Sequence, residues 1–331
     1  MRTLYFLLPG TTKPFGGGGL WAELKTVNLA RRICPAEIVT YRQREADCLF
    51  LKDIIDKIDT EDSIFVVSWG FDVPKLVREL GSRNLLYHAH SAGYGFRLPS
   101  RIPILTVSRN TMGYWGEKAP NSLIYYLPNQ IGEEFRPLGL ERDIDVLVQG
   151  RKSSKYLLDR LVPALRSRCR VKVLDGFVDD LAGLFNRSKI YLYDSAEYWA
   201  VSGVTEGFGL PPMEALACGC EVFSSVNSAL ADYLDPGFNC RKIGAYSLQY
   251  DVDRILAAVS DFPSRPVPES FFEEYGEENL VKRLSVILQE INEFFDIQSR
   301  YRGDIEGLDF WRLKQLWLDR SLAKVKKKFL K

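Results

Sequence analysis

Short apolar runs alternate with longer amphipathic stretches along most of this chain, and the alternation is played out twice. This is the pattern of a parallel sheet with crossover helices. In the first half, strands are expected at Leu4–Leu8, Glu37–Tyr41, Ser63–Ser68, Leu85–His88, Ile104–Val107 and Leu123–Leu127. Helices are expected between them at Trp21–Ile33, Val73–Leu80 and Thr111–Glu117. The second series opens with a strand at Ile144–Val148. A helix over Tyr156–Arg166 follows, with Leu158, Leu161, Val162 and Leu165 on one face, then strands at Val171–Leu174, Ile190–Tyr193 and Glu221–Ser224.

A chain of 331 residues suits two domains of ordinary size. The boundaries expected are 1–135 for the first unit, a polar linker at 136–143 carrying Pro137 and Gly139, and 144–295 for the second. The second unit ends on a helix with Leu280, Leu284, Ile287, Ile291 and Phe294 at helical spacing. Residues 296–331 form a basic helical extension. Two doubly wound units in series imply a cleft between them, with ligands outside the carboxyl ends of the strands.

Composition narrows the partners. The chain is 46% hydrophobic and 26% charged, with a formal net charge of +1, so no global positive field exists to collect nucleic acid. No stretch approaches the ~20 apolar residues that span a bilayer. The N-terminal run before Pro9 reads as a buried first strand rather than a signal peptide. Six cysteines without paired spacing signal neither zinc nor disulfides, and a cytoplasmic setting is expected.

The loop after Tyr193 leads into Glu206-Gly-Phe-Gly-Leu-Pro-Pro-Met-Glu214. Gly207 and Gly209 let backbone approach a ligand closely, and prolines open the helix that follows. A helix start attracts a diphosphate. Glu214, one turn along, is placed to hold the vicinal hydroxyls of a ribose.

This segment resembles the signature of the retaining GT-B glycosyltransferases of family 4, the glycosyl transferases group 1. The resemblance implies an α/β fold of two facing Rossmann-like domains, with the donor in the interdomain cleft. It implies that Glu206 lies beside the donor sugar, that Glu214 binds the nucleotide ribose, and that Gly207, Phe208, Gly209 and Leu210 line the donor site. Gly150-Arg-Lys-Ser-Ser-Lys155 is similar to the family's phosphate loop, which makes Arg151 and Lys155 the diphosphate-neutralising candidates. Gly16–Gly19, after the first strand, would be a flexible loop near donor phosphate and acceptor, with Gly18 and Gly19 in contact. Of the two histidines, His90 is the first choice to touch the donor sugar and support the reacting centre, with His88 in reserve. After Ser224 the family's Gly-Gly-x-Pro-Glu turn is replaced by Ser225-Val-Asn-Ser228, which leaves that phosphate contact open.

No metal site is expected. His88 and His90 share one face of a strand but have no carboxylate at ligand spacing. The strings Asp143-Ile-Asp145 and Asp251-Val-Asp253 fall at the start of a strand and of a helix, the wrong places for a ligand. The reading is a cofactor-free hexosyltransferase, its nucleotide sugar a substrate and UDP-glucose favoured. Its acceptor would be a saccharide or lipid-linked molecule in polysaccharide or glycolipid synthesis. A UDP-sugar 2-epimerase of the same architecture and a non-catalytic nucleotide-sugar-binding subunit stand as alternatives. From Asp309 to Lys331, eight cationic residues face two acidic ones among Trp311, Leu313, Leu316, Trp317, Leu318, Leu322, Val325, Phe329 and Leu330. Two fates stay open for this tail: packing back on the first domain, or lying on an anionic membrane surface.

Overall fold

The computed structural model describes residues 1–176, 178–263 and 267–329, the side chains of 325, 326, 328 and 329 excepted. Leu330, and the Val325 and Phe329 side chains of the tail pattern, therefore lie outside the described set. The strands are β1 (Thr3–Leu8), β2 (Ala36–Thr40), β3 (Leu49–Phe50), β4 (Ser63–Val67), β5 (Leu85–Ala89), β6 (Ile104–Thr106) and β7 (Ile124–Tyr126), then β8 (Ile144–Gln149), β9 (Val171–Leu174), β10 (Ser188–Tyr193), β11 (Glu221–Ser224) and β12 (Cys240–Lys242). The helices are α1 (Gly18–Arg31), α2 (Leu51–Ile54), α3 (Val73–Leu80), α4 (Arg109–Lys118), α5 (Val162–Arg166), α6 (Leu181–Asn186), α7 (Ala196–Ser202), α8 (Leu210–Ala217), α9 (Leu248–Ser260), α10 (Glu277–Gln298) and α11 (Phe310–Phe329).

Two all-parallel sheets result, ordered β3-β2-β1-β4-β5-β6-β7 and β12-β11-β10-β8-β9. In β1, Leu4 and Phe6 face one core while Tyr5 and Leu7 face the other, as the two-residue period of a strand requires. Strands covered by helices on both faces read as continuous apolar runs, which is why they were visible in the sequence. The order reverses between β1 and β4 in the first sheet and between β8 and β10 in the second. Those switch points are where a doubly wound sheet opens a crevice.

The helix expected over Tyr156–Arg166 starts as a π-helical segment, Tyr156–Leu161, before α5. Pro163 has no N–H to donate and its ring crowds the preceding turn, which favours the wider register upstream.

One boundary needs correction. The helix assigned to the second unit, α10, packs on the first sheet: Leu280, Leu284, Ile287, Leu288, Ile291 and Phe295 join Leu4, Phe6, Val27 and Leu105 in one core. Burial of six such side chains contributes on the order of 10 kcal/mol before entropy. Ion pairs from Arg2 to Asp296 and from Arg32 to Glu277 flank it and add little. The chain therefore returns to its first domain earlier than the 296–331 extension. Among the described residues, the tail helix α11 does not pack back on the first domain. Phe310, Trp311, Trp317 and Leu322 stay 60–70% exposed. No helix among the described residues is long and apolar enough to cross a membrane.

Candidate active site

Both switch points open onto one cleft of about 400 Å³. The first domain contributes Gly18, Gly19 and Ala22 of α1, Ser68–Phe71 after β4, and His90, Ser91 and Tyr94 after β5. The second contributes Gln149 at the end of β8, Arg151 and Lys152 after it, Tyr193, Trp199 of α7, and Glu206–Pro211.

The two walls are stitched together by backbone. Thr205 N–H donates to the Ala92 carbonyl at 3.0 Å, Ala92 N–H donates to Thr205 Oγ1 at 3.0 Å, and Ser91 Oγ donates to the Thr205 carbonyl at 2.6 Å. Gly207 lies so close to the neighbouring wall that a Cβ built on it would stand 1.5 Å from the His90 carbonyl oxygen. Only glycine fits that seam. Gly209 is needed for another reason: its φ of 82° is the left-handed turn into α8. Asp232 accepts from the Arg109 and Asn110 amides at the start of α4, a second tie between the domains.

Glu206 is 7% exposed, and one of its oxygens carries the site's densest hydrogen bonding. Oε2 accepts from Tyr193 OH at 2.6 Å, Trp199 Nε1 at 2.7 Å and Ser195 Oγ at 3.0 Å. Three donors on one oxygen fix the carboxylate, and Oε1 has no partner among the described residues. The proline-rich start of α8 offers fewer donors than a helix start usually does. Pro211 and Pro212 carry no N–H, so among the described residues only the Gly209 and Leu210 amides are left to donate there. Phe208 packs behind them on Tyr233 and Tyr275.

Arg151 lines the cleft, as expected, but Lys155 does not: its side chain is exposed and its amide donates to Glu197. Ser154 is the cause. Its Oγ accepts from Leu157 N–H at 3.1 Å and donates to Asp194 at 2.6 Å, so the helical turn begins before Lys155 can reach the cleft. The second cation of the cleft is Lys152, which the sequence reading passed over. Its φ of 64° turns it back, and its Nζ sits 4.3 Å from the Trp199 ring centre. Burial, together with Arg151, holds its ammonium below the usual lysine range, opposed by Glu206. A serine cap two residues on, at Ser154, was the available signal for preferring Lys152.

Glu214 departs from expectation too. It is buried, lies outside the cleft lining, and has no hydrogen-bond partner among the described residues. Burial pushes its carboxyl up to about 7, with Lys25 opposing and Glu134 reinforcing the shift. In place of the family's glycine turn, Ser228 adopts a φ of 52°, and Ala229 N–H donates to the Glu206 carbonyl at 3.3 Å.

His90 reaches the cleft, whereas His88 is wholly buried. Between them lies a carboxylate that the sequence reading did not find. Glu23 of α1 meets His88 Nδ1 at 2.5 Å and His90 Nε2 at 2.7 Å through a single oxygen. Its signal was present: Leu20, Glu23, Val27 and Ala30 share one buried helical face, and a charge there needs a partner. Burial acts to raise the Glu23 carboxyl, but His88 and then His90 outweigh it, and the group is held far below the usual range. These three side chains are close enough to hold a metal ion. For tetrahedral zinc with ~2.05 Å bonds, however, donor atoms stand ~3.3 Å apart. The observed separations are those of hydrogen bonds. Both Asp-x-Asp strings serve structure: Asp143 pairs with Arg187, Asp145 with Arg170 and Lys189, and Asp251 accepts from Tyr156 OH at 2.7 Å.

Residues 128–278 match the family described as glycosyl transferases group 1. No curated protein matches the chain. Among solved structures it is similar to a glycosyltransferase from Rickettsia africae, with a TM-score of 0.65 and 12% identity over 88% of this chain and 98% of that one. It is also similar to HepE from Anabaena in complex with UDP and glucose, with a TM-score of 0.61 and 14% identity over 88% and 100%. Sucrose-phosphate synthase from Thermosynechococcus elongatus gives 0.59 and 14% over 88% and 99%. At such identities the likeness is one of fold: two parallel-sheet, Rossmann-like domains as in GT-B glycosyltransferase structures. With the match over residues 128–278, it supports the GT-B glycosyltransferase superfamily.

Proposed function

We propose that this protein is a retaining glycosyltransferase of family 4 that moves a hexose from a nucleotide sugar, with UDP-glucose the favoured donor, to a saccharide or lipid-linked acceptor. One observation carries the reading. A carboxylate pinned by three donors, Glu206, shares a cleft with Arg151 and Lys152 on its own wall and with His90 opposite. HepE is described in complexes with UDP and with UDP-glucose, which favours the same donor here.

The chemistry follows from charge. As the anomeric C–O bond to the diphosphate breaks, negative charge grows on the leaving group. Arg151, Lys152 and the two free amides at the start of α8 can offset it, which is why a metal-independent reaction is proposed. Positive charge on the anomeric carbon is balanced by Glu206 and nearby carbonyls. The acceptor oxygen enters on the leaving-group face, forms the new C–O bond, and passes its proton to the departing phosphate. Retention of configuration results.

On the acceptor wall, Phe71 is 72% exposed and packs edge-on against Tyr94 at 4.9 Å between ring centres. Gly70 lacks the Cβ that would collide with the Tyr94 ring. Trp69, Phe71 and Tyr94 thus offer aromatic surface to the apolar face of a pyranose, which favours a sugar at the acceptor end. The exposed aromatics and cations of α11 suit an anionic membrane surface at the cytoplasmic face.

The test is a thermal-shift panel of UDP-, GDP-, ADP- and CMP-sugars followed by turnover of the best donor. Loss of turnover in Glu206→Ala and Arg151→Ala is expected; unchanged turnover in both removes the site from consideration.

A further inference from the structure

The carboxylate of Glu23 is 1% exposed and sits beneath the floor of the cleft, among Leu20, Val27 and the end of β5. It is a strange place for a charge unless the charge has work to do. Both nitrogens that reach it come from the same strand end, and both reach the same oxygen, Oε2. An ionised carboxylate accepts only, so each imidazole must present an N–H: His88 through Nδ1 and His90 through Nε2. The partner nitrogens differ in their surroundings. His88 Nε2 is buried with no partner among the described residues, so a proton there would be a buried N–H with nothing to donate to. His90 Nδ1 has no partner among the described residues, and His90 is 15% exposed in the cleft lining.

We propose that Glu23 is a positioning residue that fixes the two histidines in opposite tautomers, so that His90 meets the cleft with the lone pair of Nδ1. His90 is then a hydrogen-bond acceptor for a hydroxyl of the bound sugar, and cannot act as a donor to phosphate. This last step rests on the proposed function; the tautomers do not. The electrostatic setting agrees. Burial holds His90 below the usual histidine range, against the pull of Glu23. The other charged groups facing the cleft are Arg151 and Lys152, which disfavour a third cation, and Glu206, already held by its three donors.

The chain has only two histidines, so its imidazole nitrogen spectrum holds just two spin systems. Long-range ¹H–¹⁵N correlation on the full-length protein at pH 7 reads both tautomers directly, with His88→Gln giving the assignment. The expected result is one Nδ1–H and one Nε2–H imidazole, the latter His90. Two identical tautomers, an imidazolium at His90, or stoichiometric metal in the purified protein would each overturn the proposal.

Glu23→Met supplies the second arm. It removes the one oxygen that both imidazoles reach, so nothing is left to hold the two rings in opposite tautomers and at least one histidine must change tautomer or turn. The fall in kcat for donor turnover should be on the order of 100-fold, with the UDP dissociation constant by calorimetry within about twofold, because the nucleotide wall lies in the other domain. An unaltered pair of tautomers in a folded Glu23→Met protein would also overturn the proposal. If wild-type protein turns over no sugar nucleotide while showing opposite tautomers, the proposed function fails and the role of Glu23 stands. If Glu23→Met does not fold, the wild-type spectrum alone decides.

Discussion

Gly207→Ala tests the closeness of the two walls more sharply than any catalytic substitution. The added methyl would sit 1.5 Å from the His90 carbonyl oxygen, 2.6 Å from its carbon and 3.2 Å from Ser91 N. Carbon atoms pack comfortably at ~3.5 Å, so the walls must part by roughly 2 Å. All three obstructing atoms are backbone, so no side chain can swing aside. Gly207 has no left-handed φ, so the whole effect is steric. Parting the walls breaks the three Ser91–Ala92–Thr205 hydrogen bonds, a loss of about 3 kcal/mol at ~1 kcal/mol each. It also moves Glu206 away from His90, and a misplacement of ~1 Å already costs about 100-fold in rate. Donor turnover should therefore fall at least ~100-fold. The two sheet cores, which do not include Gly207, should keep their far-ultraviolet signature. Small-angle scattering should show a more open particle. As a control, Gly116→Ala falls in open space on the exposed side of α4 and should stabilise by ~0.5–1 kcal/mol in denaturant titration. Turnover of Gly207→Ala within threefold of wild type would refute the reasoning about the seam.

Lys152→Met should weaken UDP binding about tenfold or more by calorimetry, since a charge-assisted contact is worth ~1.5–3 kcal/mol, while Lys155→Met should leave it within about twofold. Glu214 gives a stability signal with a definite sign. Its folded value, about 7, lies above its unfolded value near 4.5, so the stability present at low pH is lost as pH rises between them. The loss approaches about 3 kcal/mol, and Glu214→Gln should flatten the melting temperature against pH over that interval. Phe71→Ala should weaken saccharide acceptors several-fold in KM while leaving UDP binding unchanged, because its ring is exposed and its ring contact among the described residues is with Tyr94. Liposomes containing anionic lipid should pellet the full-length protein and not a chain ending at Leu308; equal pelleting would remove α11 from membrane contact.

The sequence by itself determined the strands, the doubled βα alternation and the Glu206–Glu214 text, because periodicity, turn chemistry and helix-opening prolines act over a few residues. It also marked which faces must be buried. What it could not hold was the partner of each face. The stripe on α10 demanded an apolar surface without saying which sheet would supply it, and only the tertiary fold set it against β1 and β4. Lys152 and Lys155 differ by three positions, yet a serine cap and one left-handed residue send one into the cleft and the other to solvent. Glu23 and His90 stand 67 residues apart, and their union depends on α1 crossing beneath β5. Local physics wrote the elements; the meeting of distant groups, on which charge and protons depend, was decided by how those elements pack.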